Sequence, residues 1–164
     1  MIEQAVHGDL RGYFMETYNQ KDMEEAGLTM NFVQDNQSSS GKAVLRGLHY
    51  QKKYPQGKLI RVIRGTVFDV AVDIRTESAT YGKWYGIVLS EENKKQFYIP
   101  EGFAHGFLVL IEQADFCYKC TDFYHPDDER GIAWDDPTIH IAWPELDVPY
   151  RMSEKDKQWG RLGE

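Results

Sequence analysis

Alternating apolar and polar positions recur along most of the chain and predict short β-strands. The clearest case is 66–75, where apolar side chains occupy one face and Asp69 and Asp73 lie on the other. A turn at Arg64-Gly65 joins this strand to an earlier one over 58–63. A strand with carboxylates on one face normally turns that face to solvent. If both faces are enclosed instead, the carboxylates need polar partners inside the protein.

Further strand patterns are separated by polar or glycine-containing turns, and only two short segments favour helix. Strands are predicted at 9–18, 30–36, 41–51, 82–89, 96–100, 106–110 and 115–124, and loops at 38–42, 101–105 and 125–131. Asn19 is suited to cap a short helix that ends near Gly27. Many short strands and few helices predict one all-β domain over 1–164, built as a sandwich or a barrel.

An arginine and a histidine lie three residues apart in the stretch 41–51. Positions three apart in a regular strand point to opposite faces, so Arg46 and His49 can share a cavity only if the strand is interrupted. Gly47 is the natural site for a bulge that turns both side chains the same way. The alternative is a histidine satisfied in the core and an arginine at the surface, and this stretch alone does not decide between the two.

Composition narrows the class of protein. With 164 residues and 41% hydrophobic content, the chain can fill one core. Its net charge of -7 and pI near 5.2 argue against binding to a nucleic acid polymer, although a few local cations could bind a small anion. No segment has the apolar length of a membrane span and the first residues lack a signal-peptide core, so a cytoplasmic location is expected.

The two cysteines, Cys117 and Cys120, have a spacing that also occurs in zinc and redox sites. The flanking aromatic residues predict a strand, in which the two thiols would point to opposite faces. The chain has no second cysteine pair to complete a zinc site. We therefore predict two reduced structural thiols.

Two short motifs resemble the cupin signature. Pro100-x-Gly102-x-x-His105 is close to its second half, and His49-x-Gln51 resembles an eroded first half. Metal-binding cupins carry further His and Glu ligands at these positions. Two imidazoles without an anionic ligand make a poor site for a divalent metal, so the resemblance implies a cavity of cupin shape that has lost its metal.

Eight motifs occur in order along almost the whole chain. They are Asp9-x-Arg11-Gly12-x-Phe14, Phe32-x-Gln34-x-Asn36, Leu45-Arg46-Gly47-Leu48-His49-x-Gln51, Gln56-Gly57-Lys58-Leu59, Asp69-Val70-Ala71-Val72-Asp73, Ile99-Pro100-x-Gly102-Phe103-Ala104-His105-Gly106-Phe107, Tyr118-Lys119 and Ser153-x-Lys155-Asp156. Each is weak alone, but together they resemble the dTDP-4-dehydrorhamnose 3,5-epimerase family of deoxysugar biosynthesis. The resemblance implies an all-β, cupin-type jelly-roll barrel with a few short helices, working without a metal or a cofactor.

The resemblance implies that the chain inverts C3 and C5 of dTDP-4-keto-6-deoxy-glucose and forms dTDP-4-keto-rhamnose. Hydrogens beside the 4-keto group are acidic, so inversion needs a base on one face of the ring and an acid on the other. By resemblance, His49 is the base and Asp156 bonds to its other nitrogen. Tyr118 is the acid, and Lys58 stabilises the enolate oxygen. From spacing alone, Asp156 would instead close a capping box opened by Ser153, Tyr118 is an ordinary strand aromatic and Lys58 is a solvated turn lysine.

The resemblance also implies a site for the nucleotide and the sugar. Its residues are Arg11, Arg46 and Gln34 near the diphosphate and sugar, Glu16, Asn36, Tyr124 and Lys155 along the site, Phe14 and Phe123 stacked on the thymine, and Asp69 with His105 as a supporting pair in the pocket floor. A guanidinium suits a diphosphate because its planar fork donates paired hydrogen bonds. Without the resemblance, each arginine is an ordinary surface charge and each phenylalanine a core residue.

Three alternatives stay open on the sequence. A related epimerase inverts only C3 or only C5, and the sequence does not distinguish the two outcomes. A metal-dependent cupin enzyme would use His49 and His105 as ligands. A non-catalytic module that binds sugar nucleotides would keep Arg46 and Phe14 without needing Tyr118 or Lys58. For the epimerase, the family implies a homodimer in which one subunit completes the nucleotide site of the other.

Overall fold

The computed structural model describes all 164 residues and contains eleven β-strands, one α-helix and two short 3₁₀ helices. The strands are β1 (Val6–Asp9), β2 (Gly12–Met15), β3 (Gln34–Gly41), β4 (Leu45–Gln51), β5 (Lys58–Arg64), β6 (Thr66–Asp73), β7 (Trp84–Ser90), β8 (Gln96–Ile99), β9 (Phe103–Val109), β10 (Gln113–Cys120) and β11 (Glu129–Gly131). The helix α1 spans Gln20–Glu25, and the 3₁₀ helices span Pro126–Asp128 and Asp156–Gln158. This content confirms the predicted all-β class.

Two antiparallel sheets face each other and form the body of the protein. The four-stranded sheet has the order β3-β10-β5-β8, and the five-stranded sheet has the order β11-β4-β9-β6-β7. In the core between them, the rings of Phe107 on β9 and Phe116 on β10 stack with their centroids 4.1 Å apart. Burial of apolar surface of this kind is the main force that holds the sheets together. Strands β1 and β2 form a separate hairpin outside both sheets.

Both faces of β6 are covered, which explains why nearly all of its residues are buried. On the inner face, Val67 and Ala71 join the core between the sheets. On the outer face, Val70 and Val72 pack in a second cluster together with Ile139 of the C-terminal segment. The alternation in the sequence therefore predicted the two faces of this strand correctly.

The two carboxylates of β6 are enclosed and paired, as the interpretation with two buried faces requires. Asp69 Oδ2 lies 3.0 Å from His105 Nε2. Asp73 accepts hydrogen bonds of 2.8 and 2.7 Å from the Arg75 guanidinium, and these bonds hold the pKa of Asp73 well below its usual range. Such partners are needed because desolvation alone would favour the neutral acids.

Strand β4 is interrupted at Gly47, which is the alternative that lets Arg46 and His49 share a cavity. The pairing register between β4 and β9 shifts between those two residues. Gly47 has a φ of 120°, and a Cβ added there would lie 2.6 Å from the Gly106 Cα, so only glycine fits. The interruption lets Arg46 and His49 line one pocket.

The loop predicted over 38–42 is wrong for most of its length, because residues 34–41 form β3. This strand pairs with β10 along its whole length, and Ser40 lies opposite Ala114 and is buried. Serine has little intrinsic preference for strands, but pairing to a central strand overrides that preference. The strand predicted to start at residue 30 correspondingly starts later.

Two further boundaries differ from the sequence predictions. The loop predicted over 101–105 ends early, because β9 begins at Phe103. The strand predicted over 115–124 ends at Cys120, so the candidate ligands Phe123 and Tyr124 lie in the loop that follows. A loop can direct these side chains in ways that strand alternation would not allow.

The helix and the cysteines agree with the sequence predictions. Asn19 caps α1, since its Oδ1 accepts the backbone N–H groups of Lys21 at 3.0 Å and Asp22 at 3.5 Å. Both Cys117 and Cys120 are free thiols. None of the helices combines the length and the apolar character that crossing a membrane requires.

Candidate active site

The His49 imidazole and the Asp156 carboxylate form a close pair at β4. His49 Nε2 lies 2.5 Å from Asp156 Oδ1, and the Asp156 side chain is only 5% exposed. Burial acts to raise the pKa of Asp156, but the hydrogen bond and charge of His49 outweigh it, so this pKa lies below its usual range. An ionised Asp156 can only accept a hydrogen bond. In the neutral form of His49 the proton is therefore on Nε2, and the lone pair is on Nδ1.

Asp156 makes the predicted pair with His49 and keeps half of the predicted capping contact, although Lys155 and not Ser153 is the N-cap of the 3₁₀ helix. Its backbone N–H donates to Ser153 Oγ at 3.1 Å, which is one half of a capping box. Its carboxylate Oδ1 accepts from His49 and, at 3.2 Å, from Trp159 Nε1. The 3₁₀ helix thus begins at a residue whose side chain reaches across to β4.

A pocket of about 400 Å³ lies beside this pair. Arg46 and His49 line it from β4, Glu129 lines it from β11, and Lys155 lines it from the C-terminal segment. The Arg46 guanidinium is held by two contacts to Ser40 Oγ, at 3.1 Å from Nε and 3.0 Å from Nη2. Guanidinium, ammonium and imidazole groups around one opening suit an anionic ligand.

Tyr118 belongs to the sheet that faces the one carrying His49. It lies on β10 and packs against the core between the sheets. Burial raises the pKa of its phenol and the Cys120 thiol adds to the effect, whereas the Arg46 guanidinium opposes it. The phenol is therefore protonated at neutral pH and able to donate. Tyr118 is not among the residues that line the pocket beside His49, and it lines a separate small pocket of about 50 Å³ with Leu59 and Arg61. The Arg46 guanidinium, which lines the His49 pocket, lies within electrostatic reach of the Tyr118 phenol.

Lys58, Asp69 and His105 lie near one another in the interior. Burial lowers the pKa of Lys58, while the nearby Cys120 and Asp69 act to raise it. Burial raises the pKa of Asp69, against the effects of His105 and Lys58, and burial lowers the pKa of His105. Asp69 Oδ1 is buried without a hydrogen-bond partner. The structure thus brings the predicted floor pair together and places it within electrostatic reach of Lys58.

Gln34 and Asn36 share one face of β3, as their alternation predicts. Gln34 Nε2 donates to Asn36 Oδ1 at 3.1 Å, and Asn36 Nδ2 lies 3.6 Å from Cys120 Sγ. Burial raises the pKa of the Cys120 thiol to about 11, so the thiol is neutral and behaves as a small apolar group. Gln34 Oε1 also accepts the Tyr124 backbone N–H at 2.9 Å, which ties the loop after β10 to this face.

Glu129 is a pocket residue that the sequence analysis did not identify. Its carboxylate accepts a hydrogen bond from the Tyr124 hydroxyl at 2.5 Å and another from the Lys155 ammonium. Burial acts to raise the pKa of Glu129, but these two bonds keep it below its usual range. The bond between Tyr124 and Glu129 also raises the pKa of the Tyr124 hydroxyl to about 12. Glu129 follows two aspartates in a polar stretch, so nothing in the sequence separates it from solvated neighbours.

Arg11, Phe14 and Glu16 do not line the pocket beside His49 in their own chain. Arg11 lies in the turn of the β1–β2 hairpin and pairs with Asp9 at 2.5 Å. Phe14 is 70% exposed on β2, and it lines a separate groove together with Glu16. The loop residue Phe123 is 59% exposed, so both predicted stacking rings are free to meet a ligand or another chain.

The two imidazoles of the cupin-like motifs belong to two separate His–Asp pairs. His49 lies opposite His105 in the pairing of β4 with β9, but each directs Nε2 at its own carboxylate, Asp156 or Asp69. Nowhere in the chain do three or more His, Cys, Asp or Glu side chains come together in an arrangement that could hold a metal ion.

Known proteins share both the sequence and the fold of this chain. The family model described as dTDP-4-dehydrorhamnose 3,5-epimerase matches residues 1–164. The dTDP-4-dehydrorhamnose 3,5-epimerase of Methanothermobacter thermautotrophicus is 56% identical over 165 residues, which cover 100% of this chain and 89% of the relative. The protein of the same name from Shigella flexneri is 60% identical over 158 residues, which cover 95% of this chain and 86% of the relative.

Among solved structures, the dTDP-6-deoxy-D-glucose-3,5-epimerase of Legionella pneumophila Philadelphia 1, in complex with dTDP-4-keto-L-rhamnose, has a TM-score of 0.95 at 54% identity. The match covers 98% of this chain and 85% of that one, and it confirms the cupin-like jelly roll. Because the family model spans the whole chain and these relatives exceed half identity, the chain belongs to the dTDP-4-dehydrorhamnose 3,5-epimerase family and has that isomerase activity.

Proposed function

We propose that the chain inverts C3 and C5 of dTDP-4-keto-6-deoxy-glucose with His49 as the base, Tyr118 as the acid and Lys58 as the group that stabilises the enolate. The observation that carries this assignment is the 2.5 Å bond from His49 Nε2 to Asp156, beside a pocket that Arg46 also lines. In the neutral imidazole this bond fixes the proton on Nε2, so Nδ1 is the nitrogen that can act as the general base.

Each inversion consists of two proton transfers on opposite faces of one carbon. His49 Nδ1 removes the hydrogen next to the carbonyl, and the C–H electron pair moves into the ring to make the enolate. The Asp156 carboxylate stabilises the imidazolium that forms. The Tyr118 hydroxyl then delivers its proton to the other face, which restores the ketone with inverted configuration. Proton release from His49 and proton uptake by Tyr118 return both groups to their starting states.

Lys58 is suited to the enolate oxygen because it is a cation in the interior. Its position near Asp69 favours the charged ammonium, although burial opposes it. A charge in such a site acts more strongly on a developing anion than the same charge in water. Removal of one preorganised group of this kind typically costs about 10²- to 10³-fold in rate.

Arg46 and Lys155 supply the positive charge for the diphosphate in this proposal, and Gln34 and Asn36 offer amides to the sugar from β3. The support for Arg46 and Lys155 is that both line the pocket beside His49. Tyr124 contributes from the loop after β10, where its hydroxyl is bonded to the pocket carboxylate of Glu129.

A homodimer forms part of the proposal, with the β1–β2 hairpin of one subunit completing the nucleotide site of the other. The support is that the hairpin joins neither main sheet and carries Arg11 and Phe14 away from the pocket of its own chain. Sedimentation over a range of concentrations tests this part. A dimer that dissociates with loss of activity is expected, and a fully active monomer would contradict it.

The direct test of the catalytic assignment is incubation with dTDP-4-keto-6-deoxy-glucose in D₂O, followed by NMR at C3 and C5. The chain should place deuterium at both carbons, and His49→Asn should place it at neither. His140→Asn is a matched control, because His140 is exposed and its φ of 52° suits asparagine. Full epimerisation by His49→Asn would reject the base, and deuterium at one carbon only would indicate inversion of a single centre.

A further inference from the structure

We propose that Trp159 is a positioning residue that fixes the Asp156 carboxylate behind the catalytic imidazole. The inference rests on the proposed role of His49 as the base. Trp159 directly follows the 3₁₀ helix Asp156–Gln158, so its indole turns back over the residue that begins the helix. It has no part in the proton transfers themselves, and it acts on them only through Asp156.

The indole contacts both members of the His49–Asp156 pair. Trp159 Nε1 donates to Asp156 Oδ1 at 3.2 Å, and the same oxygen accepts His49 Nε2 at 2.5 Å. The indole and imidazole rings meet edge to face, with centroids 6.2 Å apart and planes at 73°. The Lys155 ammonium lies over the Trp159 indole in a cation–π contact, 5.5 Å from the ring centroid. Two donors on one oxygen hold the carboxylate against rotation.

The backbone of β11 leaves space for the indole at this place. Gly131 lies opposite His49 in the pairing of β11 with β4. A Cβ added at Gly131 would lie 2.3 to 2.5 Å from three atoms of the Trp159 indole. The indole therefore occupies the volume that a side chain at this strand position would fill, directly beside the strand that carries the base.

Trp159 also separates the carboxylate from a second pocket. This pocket has a volume of about 590 Å³ and is lined by the indole together with Tyr50, Tyr81 and Arg130. Behind the indole, the Asp156 side chain is only 5% exposed. Exclusion of water strengthens the interaction of the carboxylate with the imidazolium that forms during catalysis. Without the indole, water from this second pocket would reach Asp156.

An effect on the pH profile is expected because the indole N–H shares the oxygen that holds the His49 proton. Without this donor the Asp156 carboxylate interacts more strongly with the His49 N–H, which favours the protonated form of the imidazole. The other ionisable groups that face the pair are Arg46 from β4, His105 from β9, Glu129 from β11, and Arg151 and Lys155 from the C-terminal segment. All of them are retained when Trp159 alone is replaced.

The test compares Trp159→Phe with Trp143→Phe, which removes an indole donor elsewhere. Trp143 Nε1 donates to the Trp134 carbonyl at 2.8 Å and packs in the outer cluster of β6, away from the pocket. Trp159→Phe should lower kcat roughly 3- to 10-fold, with KM within about twofold. It should also move the acid limb of kcat/KM to higher pH, and shift the downfield proton resonance of the His49–Asp156 bond. Trp143→Phe should lose stability only.

Wild-type kcat, pH profile and resonance in Trp159→Phe would overturn the inference. If that variant does not fold, Gly131→Ala displaces the indole without removing it and should give the same changes, and wild-type kinetics there would overturn the inference equally. The His49→Asn variant distinguishes a failure of the positioning role of Trp159 from a failure of the assignment of His49 as the base. If His49→Asn is inactive while Trp159→Phe is unaffected, the positioning role fails alone. If His49→Asn is active, the assignment of the base fails first.

Discussion

Replacement of Asp156 by asparagine removes the charge behind the His49 imidazole and keeps the shape of the side chain. The Asp156 side chain is 5% exposed and accepts the imidazole N–H at 2.5 Å. A hydrogen bond to a charged acceptor contributes about 1.5 to 3 kcal/mol. Since about 1.4 kcal/mol corresponds to a factor of ten in rate, Asp156→Asn should lower kcat roughly 10- to 150-fold. KM should change little, because the carboxylate lies behind the imidazole and not against the substrate.

The assay is the steady-state rate of epimerisation, with kcat and KM determined separately and folding checked by urea denaturation. Asp135→Asn is the matched control. Asp135 forms an exposed ion pair with Arg161 at 2.7 Å, so its replacement should leave kcat unchanged and alter stability by less than about 0.5 kcal/mol. A folded Asp156→Asn variant with wild-type kcat, or with only a raised KM, would refute the role of Asp156 in orienting the base.

Three further changes test other parts of the site. Lys58→Met should lower kcat about 10²- to 10³-fold. Burial lowers the pKa of Lys58, and the ammonium is the active form. As the pH rises, the wild-type rate should therefore begin to fall below the ordinary lysine pKa of about 10.4. A rate that falls only above that pH would contradict the assignment. Arg46→Lys should raise KM about tenfold with little change in kcat, since an ammonium cannot make the paired bonds of a guanidinium, and an unchanged KM would count against a diphosphate at Arg46. Gly47→Ala should destabilise the protein by about 3 kcal/mol or more, because its φ is 120° and the added Cβ would lie 2.6 Å from the Gly106 Cα, so an unaltered urea midpoint would disprove the steric argument.

Features set by neighbouring residues could be predicted from the sequence alone. The two faces of β6 follow from alternation, and the Asn19 cap follows from a side chain that reaches the next turn of backbone. Gly47 marked the place where an interruption could turn Arg46 and His49 the same way, although the stretch alone also allowed a histidine satisfied in the core. In each case the cause lies within a few residues of its effect.

Features that depend on distant pairing could not be predicted in this way. The serines of β3 form a strand because β10 pairs with them. On the same strand, Asn36 contacts the Cys120 thiol, which lies 84 residues further along the chain. Asp156 is 107 residues from His49, and spacing alone favoured a helix cap for it. Only the family resemblance connected the two. Glu129 was missed because its role comes from the pairing of β11 with β4.

If His49 and Tyr118 act on opposite faces of one sugar ring, Tyr118→Phe should separate proton exchange from inversion. In D₂O this variant still has the base, so deuterium should enter beside the carbonyl of dTDP-4-keto-6-deoxy-glucose from the His49 side. Inversion should fall by about 10²-fold or more, because no group delivers a proton to the other face. Exchange with retained configuration, followed by NMR, is the predicted result. Inversion at the wild-type rate, or loss of exchange to the level of His49→Asn, would show that the two groups do not divide the faces between them.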